Sequence, residues 1–324
     1  MAEQSTTDQA SVSRHRVPDA DPPPALFLIG HGTRSTPGTE QFRAFALAVA
    51  ASRPGIPVGS GFIELVEPEL QQGMDDLITQ GVTSLVGVPM VLLGAGHMKD
   101  DGPVALARAR HRHPGLQTAY ARDLGIHPLV LSVAADRIRQ AAPGAADAVV
   151  VVGRGSSDPD ANSDLAKVAR LLADSRGLGT GLGGSTALTP DGDRGTNQLG
   201  LVEPAFVSLA APDVATALQR AYRLGARRIT VVPYFLFAGI LIDRIRAQAD
   251  QWASRYPDVT LHFGTELGVD DRLIQLVWER YDEAVEGGVV MNCDCCIYRG
   301  PIPGYEGHVG AEPLGGTTGS VAVR

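Results

Sequence analysis

The chain has 324 residues, 44% of them hydrophobic and 20% charged, which suits about two soluble globular domains with ample core. Its 28 basic and 36 acidic residues give a net charge of −8 with Lys and Arg scattered, so no broad basic surface offers itself to nucleic acid. All three cysteines fall between 293 and 296, which excludes a secreted disulfide framework and points to a metal or redox site in a reducing compartment.

Residues 1–24 are mostly polar, lack an apolar h-region and end in Pro22-Pro23-Pro24. They read as a flexible leader, and the expected location is cytoplasmic. Leu26 to Gly30 is too short and too apolar for a surface helix and predicts a buried strand, which delivers His31 between Gly30 and Gly32. A helix follows from about Thr39 to Ser52, with Phe42, Phe45, Ala46 and Val49 on one face. A second strand, Val58 to Ile63, ends at Glu64, and Glu67-Pro68 opens a helix that stops at Gly81. Val82 to Leu93 predicts a third buried strand, which runs into the loop Gly94 to Asp101 carrying His97 and Lys99. A helix around Val104 to Arg112, a strand around Leu116 to Arg122 and a helix from Pro128 to Arg139 complete a lobe at 25–140. Strands alternating with helices imply a parallel sheet.

Residues 141–148 read as a linker, after which the pattern begins again over 149–286, with a Cys-containing tail at 287–324. Val149 to Val152 with Gly153-Arg154-Gly155 echoes the opening strand and its Gly-His-Gly. Leu201-Val202-Glu203-Pro204 echoes Leu65-Val66-Glu67-Pro68, and Gly225 with Ile229 to Phe237 echoes Gly81 with Leu85 to Leu93. The offsets grow from 123 through 136 to 144, with much of the growth in the Gly-rich stretch Gly177 to Gly200. The run Ile229 to Ile242 is interrupted by Pro233 and falls short of a membrane span. Helices near Ile240 to Arg255 and Asp270 to Val285 flank a strand at Val259 to Phe263. The fold class is therefore α/β: two similar lobes, each a parallel sheet flanked by helices.

Comparing the halves separates framework from chemistry. On the offsets above, His31, Glu64 and His97 are matched by Arg154, Gly200 and Leu241, so the three polar groups occur in one copy only. Two imidazoles and a carboxylate at neighbouring strand ends suit one divalent ion of the Fe, Co, Ni or Zn type. Open α/β sheets bind their ligands at that edge. The other histidines carry less: His111 and His113 end a basic helix and read as solvated, His127 as a hydrogen bonder at a helix start, and His262 as a strand residue, while His308 lies in the tail.

Gly30-His31-Gly32-Thr33-Arg34, Phe62-Ile63-Glu64-x-x-Glu67-Pro68, Val88-Pro89-Met90-Val91-Leu92-Leu93-x-x-Gly96-His97 and Met291-x-Cys293-x-x-Cys296 together resemble the long, two-lobed sirohydrochlorin chelatases of the class II chelatase family. The resemblance covers about residues 25–310. It implies insertion of a divalent metal, Co²⁺ or Fe²⁺, into a modified tetrapyrrole on the route to cobalamin or sirohaem, with no nucleotide. It assigns His31 and His97 to the incoming metal and Glu64 to ligation or proton acceptance. The carboxylated substrate that it implies needs cationic contacts, for which Arg34, Lys99 and Arg154 are candidates. A metal or tetrapyrrole carrier with the same fold is the alternative.

The tail looks like an appended iron-sulfur site. Cys293 and Cys296 are spaced to share a metal, with Cys295 beside them. A cluster ordinarily takes four thiolates, which two such loops in a homodimer would supply. All three cysteines with a non-cysteine fourth ligand, a structural Zn²⁺, or no metal at all are the other readings.

Overall fold

The computed structural model describes residues 22–142, 146–174 and 201–288, apart from the side chain of His97. The first lobe runs β1 (Ala25–Gly30), α1 (Thr36–Ser52), β2 (Val58–Phe62), α2 (Leu70–Thr79), β3 (Ser84–Pro89), α3 (Gly96–Lys99), α4 (Asp101–Arg112), β4 (Gln117–Tyr120) and α5 (Pro128–Ala141). The second runs β5 (Ala148–Gly153), α6 (Pro159–Asp174), β6 (Val202–Phe206), α7 (Val214–Arg223), β7 (Arg228–Pro233), α8 (Ile240–Ala253), β8 (Thr260–Phe263) and α9 (Asp271–Val285). Each lobe holds a four-stranded parallel sheet, ordered β2-β1-β3-β4 and β6-β5-β7-β8. No helix among the described residues is long and apolar enough to cross a membrane.

The central strands explain their own sequence. β1 and β5 are buried at every position, because helices cover both faces, so they read as unbroken apolar runs. Successive side chains point to opposite faces. Leu26 and Leu28 of β1 and Val149 and Val151 of β5 enter one shared core between the lobes. Phe27 and Ile29 face outward under α2 and α4, and Val150 and Val152 face the second lobe's outer helices.

The last helix of each lobe crosses to the other. α9 packs on β3 and β4 of the first sheet, whereas α5 contacts β7 and α6 of the second. Trp278 of α9 is 3% exposed and its indole N–H donates to Ser52 Oγ at 2.7 Å. Arg280, also in α9, is buried and its Nε donates to the Asp123 carbonyl at 2.8 Å. Removing the buried Trp278 ring would cost about 3–5 kcal/mol in a core of this kind. The exchange fixes the lobes against each other, and with them the cleft between.

Three local readings change. The third strand stops at Pro89 rather than Leu93, because the chain turns sharply there, Val91 N–H donating to the Pro89 carbonyl at 2.9 Å. His97 lies not in a loop but in the short helix α3. The repeat also needs a new register. Leu65 and Leu209 both have positive φ, and Glu67-Pro68 and Ala211-Pro212 are both cis, so the counterpart of Leu65 to Pro68 is Leu209 to Pro212. Leu201-Val202-Glu203-Pro204 instead enters and forms much of β6. The offset thus steps from 123 at β1 to 144 at β2 and β3, with 143 at β4, and Glu64 corresponds to Ser208 rather than Gly200.

Candidate functional site

A cleft of about 1010 Å³ opens between the lobes, walled by the carboxyl ends of β1 and β2 on one side and β5 and β6 on the other. Parallel pairing places its first two polar residues together. Gly30 is in register with Phe62, Ile63 N–H donates to the Gly30 carbonyl at 2.9 Å, and Glu64 N–H to the His31 carbonyl at 3.1 Å. His31 Nδ1 then stands 3.7 Å from Glu64 Oε1 and 3.2 Å from the Gly32 carbonyl. Those acceptors assign the ring proton to Nδ1, which leaves the Nε2 lone pair. Gly32 is required here: its φ is +95°, and a Cβ would lie 1.8 Å from the Glu64 carbonyl oxygen.

The second lobe repeats this backbone with other side chains. Val207 N–H donates to the Gly153 carbonyl at 3.0 Å and Ser208 N–H to the Arg154 carbonyl at 3.1 Å, so Arg154 and Ser208 hold the places of His31 and Glu64. Arg154 reaches across the cleft, its Nη1 3.4 Å from His31 Nε2. Arg34 is exposed and lines the same cleft. So does Arg244 of α8, which the sequence reading missed. Its signal was there: Arg244 is three residues after Leu241, the counterpart of His97, and residues three apart share a helix face.

Lys99 has a different job from the one expected of it. It is 7% exposed, and its ammonium lies 2.8 Å from Asp158 Oδ2 and 3.1 Å from Asp160 Oδ2, two carboxylates of the second lobe. It ties α3 to the opposite lobe and is not placed to receive a substrate carboxylate. α3 is also held from its own lobe, where the Tyr120 hydroxyl donates to the Met98 carbonyl at 2.7 Å. The polar ground behind the cleft is well buried. Burial pushes the Asp123 carboxyl up to about 6, Asp164 is raised for the same reason, and the Tyr234 hydroxyl has no hydrogen-bond partner among the described residues.

The backbone of His97 stands in α3 at the cleft, since Gly96 and Met98 line it, but its side chain is outside the described residues. Among the described residues no three His, Cys, Asp or Glu side chains form a metal-holding group. Of the three proposed ligands the structure therefore brings His31 and Glu64 together.

A family model described as CbiX matches residues 25–141 and, a second time, residues 148–284. The chain belongs to the CbiX family. It is 32% identical over 281 residues to a sirohydrochlorin cobaltochelatase of Priestia megaterium, spanning 85% of this chain and 84% of that one. It is 28% identical over 230 residues to a sirohydrochlorin ferrochelatase of the same organism, 70% of this chain and 78% of that one. The crystal structure of the sirohydrochlorin chelatase SirB from Bacillus subtilis subspecies spizizenii, in complex with cobalt, superposes with a TM-score of 0.63 at 27% identity, covering 82% of this chain and 96% of that one.

Two other histidines of this CbiX protein, His127 and His113, are occupied in ways the fold explains. His127 caps α5, its Nδ1 accepting from Leu129 N–H at 3.3 Å. Burial and the neighbouring Arg280 hold its pKa below the ordinary imidazole value. His113, expected to be solvated, pairs with Asp75 at 2.9 Å. Cys293, Cys295, Cys296 and His308 lie outside the described residues.

Proposed function

We propose that this CbiX protein is a sirohydrochlorin chelatase that inserts a divalent metal, Co²⁺ by preference and Fe²⁺ next, into a tetrapyrrole held in the cleft. The observation that carries the reading is the pairing of His31 with Glu64 on one wall of a two-lobed cleft, with Arg154 facing them from the other. His31 offers Nε2 to the metal while Nδ1–H stays engaged, the arrangement that holds a ligating imidazole in one tautomer and orientation. His97 supplies the second imidazole from α3. A metal held by so few protein groups keeps positions open for ring nitrogens as its waters leave. Two pyrrole protons must depart, and Glu64, half exposed beside His31, accepts them one after the other at its carboxylate and passes each to solvent.

Arg34 and Arg154 hold carboxylates at the rim of the ring, and Arg244 takes the place first given to Lys99. Arg154 sits close to the His31 atom that the metal needs, so it must swing away as metal binds, and a substrate carboxylate gives it somewhere to go. The reaction uses no nucleotide. In the tail, Cys293 and Cys296 of two chains would supply the four thiolates of an iron-sulfur site shared across a homodimer, with Cys295 turned away from it and the site apart from the insertion chemistry. Iron and acid-labile sulfide in anaerobically purified protein, lost on Cys293→Ser with Cys296→Ser, would support it, and an iron-free preparation would overturn it. The expected site of action is the cytoplasm.

The test of the main reading is an absorbance assay with purified protein, sirohydrochlorin and Co²⁺, Fe²⁺ or Ni²⁺ in turn. Turnover with Co²⁺ fastest is expected. Tetrapyrrole binding without acceleration of any metal above the uncatalysed rate would make the protein a carrier.

A further inference from the structure

β2 and β6 end in the same tight turn. Val66 N–H donates to the Glu64 carbonyl at 2.9 Å and Ala210 N–H to the Ser208 carbonyl at 2.7 Å, so three-residue turns centre on Leu65 and Leu209. Their φ angles are +69° and +61°. A three-residue turn with positive central φ is the rare and strained form, and an L residue there costs free energy that glycine avoids. The turns themselves have a clear purpose, since the Glu64 and Ser208 carbonyls close against Gly32 and Gly155.

That purpose explains the backbone and leaves the side chains unexplained. Leu65 is 52% exposed and Leu209 70%, while the next residues, Val66 and Ala210, pack against the shared core. A leucine held out in water on a left-handed backbone is unfavourable in two separate ways. Glycine at either position would remove both. Yet the two lobes, which differ at the adjacent position as Glu64 and Ser208, both carry leucine here. Both leucines line the cleft, one from each lobe. Ile240, 56% exposed at the start of α8, lines it too, beside the apolar residue that stands where the first lobe has His97. The need common to both lobes is thus an apolar contact with whatever fills the space between them.

We propose that Leu65 and Leu209 are substrate-positioning jaws that contact the apolar faces of the flat tetrapyrrole, leaving its charged rim to the arginines. The proposal rests on the chelatase reading for the identity of the ring. It assigns binding energy to two residues that do no chemistry, so it separates ring affinity from insertion rate.

The test uses the full-length protein and the variants Leu65→Gly, Leu209→Gly, their combination, and Leu65→Met with Leu209→Met. Ring affinity is read by absorbance titration of metal-free sirohydrochlorin, stability by urea unfolding, and KM and kcat by the insertion assay. Relief of strain and the greater freedom of glycine in the unfolded chain oppose each other, so the glycine variants should unfold near the wild-type midpoint. The double glycine variant should bind the ring at least tenfold more weakly and raise KM by a similar factor, with kcat within twofold. The methionine pair should keep most of the affinity. Wild-type ring affinity in the double glycine variant would overturn the proposal, as would a loss that only tracks unfolding. A wild-type protein that binds the ring without inserting metal would refute the chelatase reading, and the affinities would still decide the role of the leucines. Failure of the wild type to bind the ring would overturn both.

Discussion

The Lys99 ion pair sets up a stability prediction whose order follows from burial. Asp158 is fully buried, Lys99 is 7% exposed and Asp160 23% exposed. Lys99→Met removes the one cation in the set from between two carboxylates and leaves Asp158 charged in the interior, a situation that costs about 3–5 kcal/mol. Asp158→Asn is milder, because the ammonium keeps Asp160 at 3.1 Å, and the amide oxygen can still accept the Asp160 N–H that Asp158 Oδ1 now accepts at 3.1 Å. Losing one charge-assisted hydrogen bond there costs about 1.5–3 kcal/mol. Asp160→Asn, at the wetter end, should cost about 1 kcal/mol or less. Lys99→Met combined with Asp158→Leu removes both buried charges and should be more stable than Lys99→Met alone. Urea unfolding of the four proteins reads the series. An unchanged midpoint for Lys99→Met would refute the buried pair, and a raised KM with unchanged stability would return Lys99 to the substrate.

His31→Ala and His97→Ala should each abolish most insertion, and Glu64→Gln should slow it roughly 10²-fold or more, with unfolding midpoints near wild type. Full activity in both histidine variants would remove the site. Arg154→Ala should raise KM more than it lowers kcat, since a guanidinium can hold a carboxylate but accepts no proton; a normal KM would exclude it. Gly32→Ala and Gly155→Ala face nearly the same obstacle, a carbonyl oxygen 1.8 Å and 1.9 Å from the new Cβ. They should destabilise alike, whereas per folded molecule kcat should fall mainly for the first, which displaces Glu64 from His31. Asp123, raised from 3.8 to about 6 by burial, carries a penalty that is absent below 3.8 and complete above about 6. Stability should therefore fall as pH rises through that window, and Asp123→Asn should gain up to about 3 kcal/mol at pH 7.5 and nothing at acid pH, as read by unfolding at both. Equal effects at the two pH values would contradict the shift.

Much of the architecture is legible because it follows from single segments. The apolar run of β1 demands burial on both faces, Gly30-His31-Gly32 marks a strand end, and recurrence of the pattern after residue 148 announces a second lobe. Two things are not carried by any one segment. The Leu-Val-Glu-Pro of 201–204 imitates that of 65–68, but the feature the fold repeats is a backbone path, the positive φ and cis bond at Leu209 to Pro212, where only Leu and Pro still match. A path of that kind leaves little trace in side-chain identity. Pairing is the other. Lys99 in a polar loop looks like a free cation until the second lobe brings Asp158 beside it, and the apolar faces of α5 and α9 ask for burial without saying that each belongs on the other lobe's sheet.

The corrected register sharpens what duplication has done to this cleft. The strand ends, the tight turns and their glycines are kept in both lobes, so they belong to the scaffold. At the three positions proposed to carry the chemistry the second lobe has Arg154 for His31, Ser208 for Glu64 and Leu241 for His97, so the proposed ligand atoms give way to a cation and an apolar wall. Two identical lobes would place ligands on both sides of the ring and crowd the metal's coordination sphere. With the proposed ligands on one wall, a metal would keep a face open to the ring nitrogens, while the other wall would hold the ring by its carboxylates and its apolar surface. On this view the division of labour between the lobes, more than any single residue, lets the cleft hold a metal and then give it up.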